Sequence, residues 1–115
     1  MTETADAPHV SHYTYRVRWS AEDDEFVATC AEFPSLSWLA TSQFEALTGL
    51  EAVLRDVITD MLQNDEPVPQ PFGERSYSGK FNVRVGEGLH RELAIHAAED
   101  GISLNQYVLR KLADI

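Results

Sequence analysis

Three polar side chains that suit hydrogen bonding to DNA bases occupy alternate positions near the C-terminal end: Lys80, Asn82 and Arg84. Lysine and arginine can bind O6 and N7 of guanine, and asparagine can bind N6 and N7 of adenine. A strand period of two places all three on one face. The pattern indicates DNA base contacts, although an amphipathic strand would carry polar residues on its wet face in any case.

The residues between these three are apolar and need cover. Phe81, Val83 and Val85 lie on the opposite face of a strand predicted at residues 80–85. A single strand can neither bury one face alone nor leave both edges unpaired. The simplest remedy is a second copy of the chain, which gives a two-stranded antiparallel ribbon over four helices. Because such a ribbon fits the major groove, we predict a DNA-binding homodimer rather than a catalyst.

Two helices are predicted after the strand. The first runs over residues 87–100, with Leu89, Leu93 and Ala97 inward at helical spacing, and Gly101 ends it. Together the strand and helices supply the apolar core expected between the two copies: Phe81, Val83, Val85, Leu89, Leu93, Leu104, Val108 and Leu112.

The second helix is predicted to begin after Ser103, which is a favourable N-cap type. The first N–H groups of a helix are free and lie at its positive end, which suits a phosphate. Ser103, Leu104 and Asn105 are therefore candidate contacts to DNA phosphates. Simple capping is the alternative role for Ser103.

The N-terminal part shows strand periodicity and then helix periodicity. Alternation predicts strands at residues 13–19, 26–30 and 36–40, the first two forming a hairpin. A helix follows, in which Ser42 is the expected N-cap and Glu45 the expected partner of a capping box. Its apolar face continues to about residue 63 or 64. This order indicates one small β-β-β-α layer.

Three prolines at positions 67, 69 and 71 exclude a helix after this unit, and the following residues have the composition of a linker. We predict an α+β chain of two domains. Its segments are a flexible leader (1–12), an N-terminal domain (13–71), a linker (72–78) and a C-terminal domain (79–115).

The charge of the chain is uneven. Of the net charge of −10, residues 79–115 contribute nothing, because they hold five Lys or Arg and five Asp or Glu. Residues 1–78 hold the remaining four bases and fourteen acids. An acidic domain cannot favour DNA, but it can attract a basic protein by electrostatic steering.

Other classes of function receive little support. The lone Cys30 permits no internal disulfide, and no stretch reaches the roughly 18 apolar residues of a membrane span. The first residues have neither a basic start nor an apolar run, so we expect a cytoplasmic protein without a secretory signal. The carboxylates of residues 22–25 suit a solvated turn better than a metal or catalytic site, and His9 and His12 have no third ligand. We predict no cofactor and no catalytic residue.

Beyond these patterns, the sequence resembles the HicB family of antitoxins. In the C-terminal part the similarity lies in residues 78–85, 89–93 and 99–108, among which Gly101, Ser103 and Asn105 are the more specific positions. In the N-terminal part it lies in residues 26–30, 33–34, 45–46 and 66–69. The resemblance implies a degenerate ribonuclease-H-like domain followed by a ribbon-helix-helix domain.

The resemblance also implies a function. Such proteins neutralise a small basic toxin that cleaves messenger RNA, HicA, through the N-terminal domain, and they repress their own operon through the C-terminal domain. The expected partners are operator DNA, a HicA-type toxin and a second copy of the chain, with a tetramer left open. Two alternatives stay open: an orphan transcriptional regulator without a toxin, and a weak metal-dependent nuclease that uses N-terminal carboxylates.

Overall fold

A computed structural model describes residues 8–114, in which three strands and a long helix precede two shorter helices. The elements are β1 (Tyr15–Ser20), β2 (Glu25–Cys30), β3 (Ser37–Ala40), α1 (Gln43–Gln63), α2 (Glu87–Glu99) and α3 (Leu104–Leu112). The antiparallel sheet followed by helices confirms the predicted α+β class. None of the helices in the described range is long and apolar enough to cross a membrane.

The chain forms two compact units that divide between Tyr77 and Ser78. Residues 1–7 of the predicted leader lie outside the described residues, and its last residues form a short 3-10 helix, Val10–His12. The predicted linker contains a second 3-10 helix, Phe72–Glu74. Both segments therefore contain local structure that composition alone did not reveal. The predicted domain boundaries themselves stay predictions.

The sheet has the strand order β1-β2-β3. Tyr15 and Val17 on β1 lie opposite Cys30 and Ala28 on β2, so these side chains share one face. They pack in the core beneath α1, which explains why the alternation of apolar and polar residues located the strands well. The hairpin turn ends at Asp24, whose positive φ of 55° suits a tight reversal.

Helix α1 covers the sheet with an apolar stripe at four-residue spacing. Ala46, Leu50, Leu54 and Ile58 are its buried residues. Burying a leucine side chain contributes about 1.5–3 kcal/mol relative to its exposure. Helix α1 and the three strands thus form the core of the first unit, as the sequence predicted.

The start of α1 differs from prediction in one detail. Ser42 is the N-cap, and its Oγ accepts a hydrogen bond from the backbone N–H of Glu45 at 3.1 Å. The Glu45 carboxylate, however, accepts from the hydroxyls of Ser42 and Thr41 instead of the Ser42 backbone N–H. The predicted full capping box is therefore wrong here, because two neighbouring hydroxyls compete for the same carboxylate.

Gly49, in the middle of α1, makes room for an indole ring. A Cβ placed on Gly49 would lie 2.1 Å from Nε1 of Trp38 on β3. Glycine inside a helix costs roughly 0.5–1 kcal/mol relative to alanine. The close approach of Trp38 explains why this helix nevertheless has glycine at that position.

The C-terminal unit contains α2 and α3, separated by a glycine. Gly101 has a positive φ of 69°, which allows the chain to leave α2 and turn towards α3. Helix α2 begins after Gly86, an N-cap that offers no side-chain hydrogen bond. Ala97 is the buried residue of α2, and α3 has none. This unit thus has very little core within one chain.

Candidate nucleic-acid interface

Residues 80–85 belong to no strand in the single chain. A β-ladder needs a partner strand, and the prediction places that partner on a second copy of the chain. Gly79 and Gly86 delimit the segment, and both have a positive φ of 84°. At its start, the Ser78 hydroxyl accepts a hydrogen bond from the Lys80 N–H at 3.1 Å. The ribbon itself therefore stays a prediction.

The three candidate base-contacting side chains are free to bind something else. Lys80, Asn82 and Arg84 are all exposed. In residues 8–114, none of their side chains forms a hydrogen bond or an ion pair. Their donors are consequently available to an external acceptor such as a base edge.

The apolar side chains between them are also exposed, which is unusual for side chains of this size. Phe81 is 75% and Val83 64% exposed, and Val85 is 40% exposed. Contiguous apolar surface of this kind marks interaction sites in soluble proteins. The face opposite the three polar residues therefore needs a cover that the single chain does not provide.

The helical residues of the predicted dimer core differ in how far they are buried in the single chain. Leu93, Leu104 and Val108 are partly buried within one chain. Leu89 and Leu112 are 51% and 48% exposed, so the prediction that Leu89 faces inward is wrong for the single chain. The reason is that two short helices cannot enclose a leucine placed at the beginning of the first one.

An open groove of about 850 Å³ joins the exposed segment to the helices. Its apolar lining includes Phe81, Val83, Val85, Leu93, Val108 and Leu112. Leu104 also lines this groove, so seven of the eight predicted dimer-core residues share one surface. Only Leu89 of that set is absent from the lining.

The start of α3 offers two unpaired donors. Ser103 Oγ accepts from the Gln106 N–H at 3.0 Å, and Gln106 Oε1 accepts from the Ser103 N–H at 3.1 Å, forming a capping box. The N–H groups of Leu104 and Asn105 have no acceptor among residues 8–114. Because the Ser103 N–H is already bound, the candidate contacts to a DNA phosphate are the N–H groups of Leu104 and Asn105 and the Ser103 hydroxyl. Sequence reasoning missed Gln106, although its position three residues after Ser103 is the signal of a capping box.

The acidic turn before β2 is a solvated hairpin end. Glu22, Asp23 and Asp24 are exposed, and the Asp23 carboxylate accepts from the Ser20 hydroxyl at 2.9 Å. Among the described residues, no group of three or more His, Cys, Asp or Glu side chains is placed to hold a metal ion. The rings of His9 and His12 lie against each other at a tilt of 45°, with their centroids 4.7 Å apart.

Glu32 is a buried carboxylate that sequence reasoning missed, and it is only 7% exposed. It accepts hydrogen bonds from Thr14, Cys30 and Phe72. Burial alone raises the pKa of Glu32, but donation by the Phe72 and Thr14 N–H groups and the Thr14 hydroxyl outweighs it and lowers the pKa to about 2. The available signal was a charged residue inside the apolar run from residue 26 to residue 34.

Comparison with known proteins gives one family match. Residues 63–112 match the HicB family, which covers the end of α1, the proline-rich segment and α2 and α3. No curated protein and no solved structure matches the chain. Residues 63–112 of this chain are thus similar to the HicB family, and this match supports a toxin–antitoxin-related role.

Proposed function

We propose that the chain is an antitoxin and an operon repressor. Its C-terminal unit pairs with that of a second copy and binds operator DNA, and its N-terminal unit neutralises a small basic toxin that cleaves messenger RNA. The proposal assigns no catalytic residue and no cofactor. One observation carries it: residues 80–85 alternate exposed polar donors with exposed apolar side chains that have no core of their own.

Pairing of two C-terminal units explains this alternation. An antiparallel ribbon of two copies would cover Phe81, Val83 and Val85 against the grooves of both chains, and would leave Lys80 and Arg84 on the outer face. The two helices bury little apolar surface in one chain, since Ala97 is the buried residue of α2 and α3 has none. Dimerisation and folding of this unit are therefore expected to be coupled.

The outer face of such a ribbon suits DNA. Lys80 and Arg84 supply donors for guanine, and Asn82 supplies a donor and an acceptor for adenine. Phosphates on either side would bind the free N–H groups of Leu104 and Asn105, with Ser103 as a further donor. The neutral charge of residues 79–115 makes the DNA affinity depend on these directed contacts more than on bulk attraction.

The first unit suits a basic protein partner. It holds fourteen of the nineteen acidic residues of the chain, which favours fast association with a cationic protein. The similarity of residues 63–112 to the HicB family supports toxin neutralisation, and so does the acidic balance of the first unit.

The dimer and its DNA binding are tested by a matched pair of lysine substitutions. Val83→Lys places a charge in the groove, whereas Ile95→Lys changes another exposed apolar side chain of the same unit that does not line the groove. Sedimentation and binding to DNA from upstream of the gene are measured for both. We expect Val83→Lys to be monomeric and unable to bind, and Ile95→Lys to behave as wild type. A dimeric Val83→Lys variant that still binds DNA contradicts the proposal.

The toxin partner is tested by co-expression. The product of a small basic reading frame beside this gene is co-purified with the full chain, and growth arrest by that product is measured with and without the chain. Complex formation with relief of the arrest is expected. If the product neither binds the chain nor arrests growth, the antitoxin role is excluded.

One observation favours a second candidate, an orphan transcriptional regulator. The family match begins at residue 63, so most of the first unit lies outside it. Under this alternative the DNA-binding result above stays the same, and the co-expression result is negative. The two experiments together therefore separate the two functions.

A further inference from the structure

The carboxylate of Glu32 joins three parts of the first unit. Oε1 accepts from the Thr14 N–H at 3.0 Å and from Cys30 Sγ at 3.3 Å. Oε2 accepts from the Thr14 hydroxyl at 2.9 Å and from the Phe72 N–H at 2.9 Å. No ion pair to Glu32 occurs in residues 8–114. A buried charge is thus held entirely by neutral donors.

One of these donors belongs to a distant part of the sequence. Phe72 lies forty positions after Glu32 and begins the segment that leads to the C-terminal unit. We name residues 72–77 the exit segment. It coincides with most of the stretch whose composition predicted a free linker, yet it belongs to the first compact unit.

The rest of the exit segment is held mainly through Phe72 and the residues just before it. Arg75 donates from Nε to the Gln70 carbonyl at 2.9 Å, and its guanidinium lies 3.9 Å from the centre of the Phe72 ring. The Tyr77 hydroxyl donates to the Phe72 carbonyl at 2.9 Å. A further contact to the body of the unit joins His12 and Glu74, and exposed pairs of this kind contribute little.

The chain before Phe72 is anchored independently. Pro71 is fully buried, and the Tyr13 hydroxyl donates to the Pro69 carbonyl at 2.7 Å. Loss of the bond between Glu32 and Phe72 would therefore leave the exit segment with only the exposed contact between His12 and Glu74 and with local hydrogen bonds to Gln70 and Pro71, while Pro69 and Pro71 stay in place.

We propose that Glu32 is a latch that holds the exit segment on the first unit and thereby sets the length of free chain between the two units. This inference rests on the proposed function in one respect: the proposed function gives each of the two units its own binding partner. With the latch closed, the first unit extends to Tyr77; with the latch open, the exit segment detaches and lengthens the chain between the two units by residues 72–77. A longer tether changes the effective concentration of one bound partner near the other.

A matched pair of substitutions isolates the single hydrogen bond. Phe72→Pro removes the N–H, and its backbone is compatible because Pro71 has an extended conformation (φ −54°, ψ 138°) and position 72 starts a 3-10 helix. Phe72→Ala removes the ring as well but keeps the N–H. The difference between the two variants therefore reports on the bond to Glu32.

The measurements use the full chain without DNA or toxin, so they do not depend on either activity. Trypsin cleavage after Arg75 is followed, with cleavage after Lys80 as an internal control, and the radius of gyration is measured by X-ray scattering. For Phe72→Pro we expect about tenfold faster cleavage after Arg75, unchanged cleavage after Lys80 and a larger radius. Phe72→Ala is expected to stay close to wild type in all three.

A second variant approaches the bond from the other side. Glu32→Gln leaves one acceptor oxygen for the two backbone N–H groups of Thr14 and Phe72, which bind different oxygens of the carboxylate, and is expected to open the latch in part, with cleavage after Arg75 between that of wild type and that of Phe72→Pro. Equal cleavage after Arg75 in Phe72→Pro and Phe72→Ala would overturn the proposal. A lower thermal midpoint without faster cleavage and without a larger radius would also overturn it, because the bond would then serve only the stability of the fold.

Discussion

The roles of individual side chains in this protein depend on whether they have hydrogen-bond or ion-pair partners within the chain. Arg84 has no partner within the described chain, whereas Glu32 has four donors and no countercharge. The sequence identified the first kind of residue, because an alternating strand shows its polar face directly. It could not identify the second, since the decisive donor of Glu32 lies forty positions away.

Arg84→Ala tests base contact by the exposed segment. We expect a loss of about 1–3 kcal/mol on the correct operator and a weaker preference at the contacted base pair. Arg91→Ala, which removes another exposed arginine of the same unit, is the control. Operator affinity is measured on matched and substituted DNA, and an unchanged affinity for Arg84→Ala counts against base contact by this residue.

Glu32 predicts the acid sensitivity of the first unit. Its pKa is lowered from the ordinary 4.5 to about 2 on folding, so the ionised form stabilises the fold above pH 4.5, and this stabilisation is lost as the pH falls towards 2. Wild type should exceed Glu32→Gln by roughly 2–3 kcal/mol at pH 7, and the gap should shrink below pH 4.5. Denaturant unfolding at a series of pH values measures this, with the exposed Glu45→Gln as control. A gap that does not change with pH would contradict the prediction.

At the scale of elements, periodicity predicted most of the first unit. The alternation at residues 13–19 predicts the first strand, which is observed as Tyr15–Ser20, and α1 ends at Gln63 as expected. These elements are determined by apolar spacing along the local sequence. The packing of β3 on α1 could not be predicted in this way, because the fit of Trp38 to Gly49 joins residues whose proximity depends on the tertiary fold.

Because of the contact between β3 and α1, we expect Gly49→Ala to lower the free energy of unfolding, whereas glycine to alanine inside a helix usually raises it. Alanine is normally favourable inside a helix by about 0.5–1 kcal/mol, but here its Cβ meets the indole ring. We expect a net destabilisation of about 1–3 kcal/mol, the usual cost of overpacking. In a Trp38→Ala background the same substitution should become stabilising. A double-mutant cycle measured by denaturant unfolding separates the two effects, and equal signs in both backgrounds would exclude the clash.

At the scale of the whole molecule, the two units differ in how they are stabilised. The first has a core of its own beneath α1, whereas the second exposes most of its large apolar side chains. The sequence pattern predicted an apolar face at residues 80–85 that needs a cover, and the second copy that would cover it stays a prediction. It could not predict how the residues between the two units fold, because prolines and glycine indicate a linker whether or not a buried carboxylate holds it.

The stability of the second unit should therefore depend on protein concentration. Raising the concentration favours the paired state by mass action, so its unfolding midpoint should rise, while that of the first unit should not. Calorimetry over about a hundredfold range of concentration measures both transitions. Deleting residues 79–115 should lower the oligomeric state, and a truncated chain that remains dimeric would place the pairing elsewhere.

The solitary position of Lys80, Asn82 and Arg84, between two glycines with left-handed backbones, has an evolutionary consequence. Side chains that support nothing in their own fold can be exchanged at almost no thermodynamic penalty. Under the proposed function, related copies in one genome would therefore diverge to recognise different operators through a few codons, while the scaffold that carries these side chains stays the same.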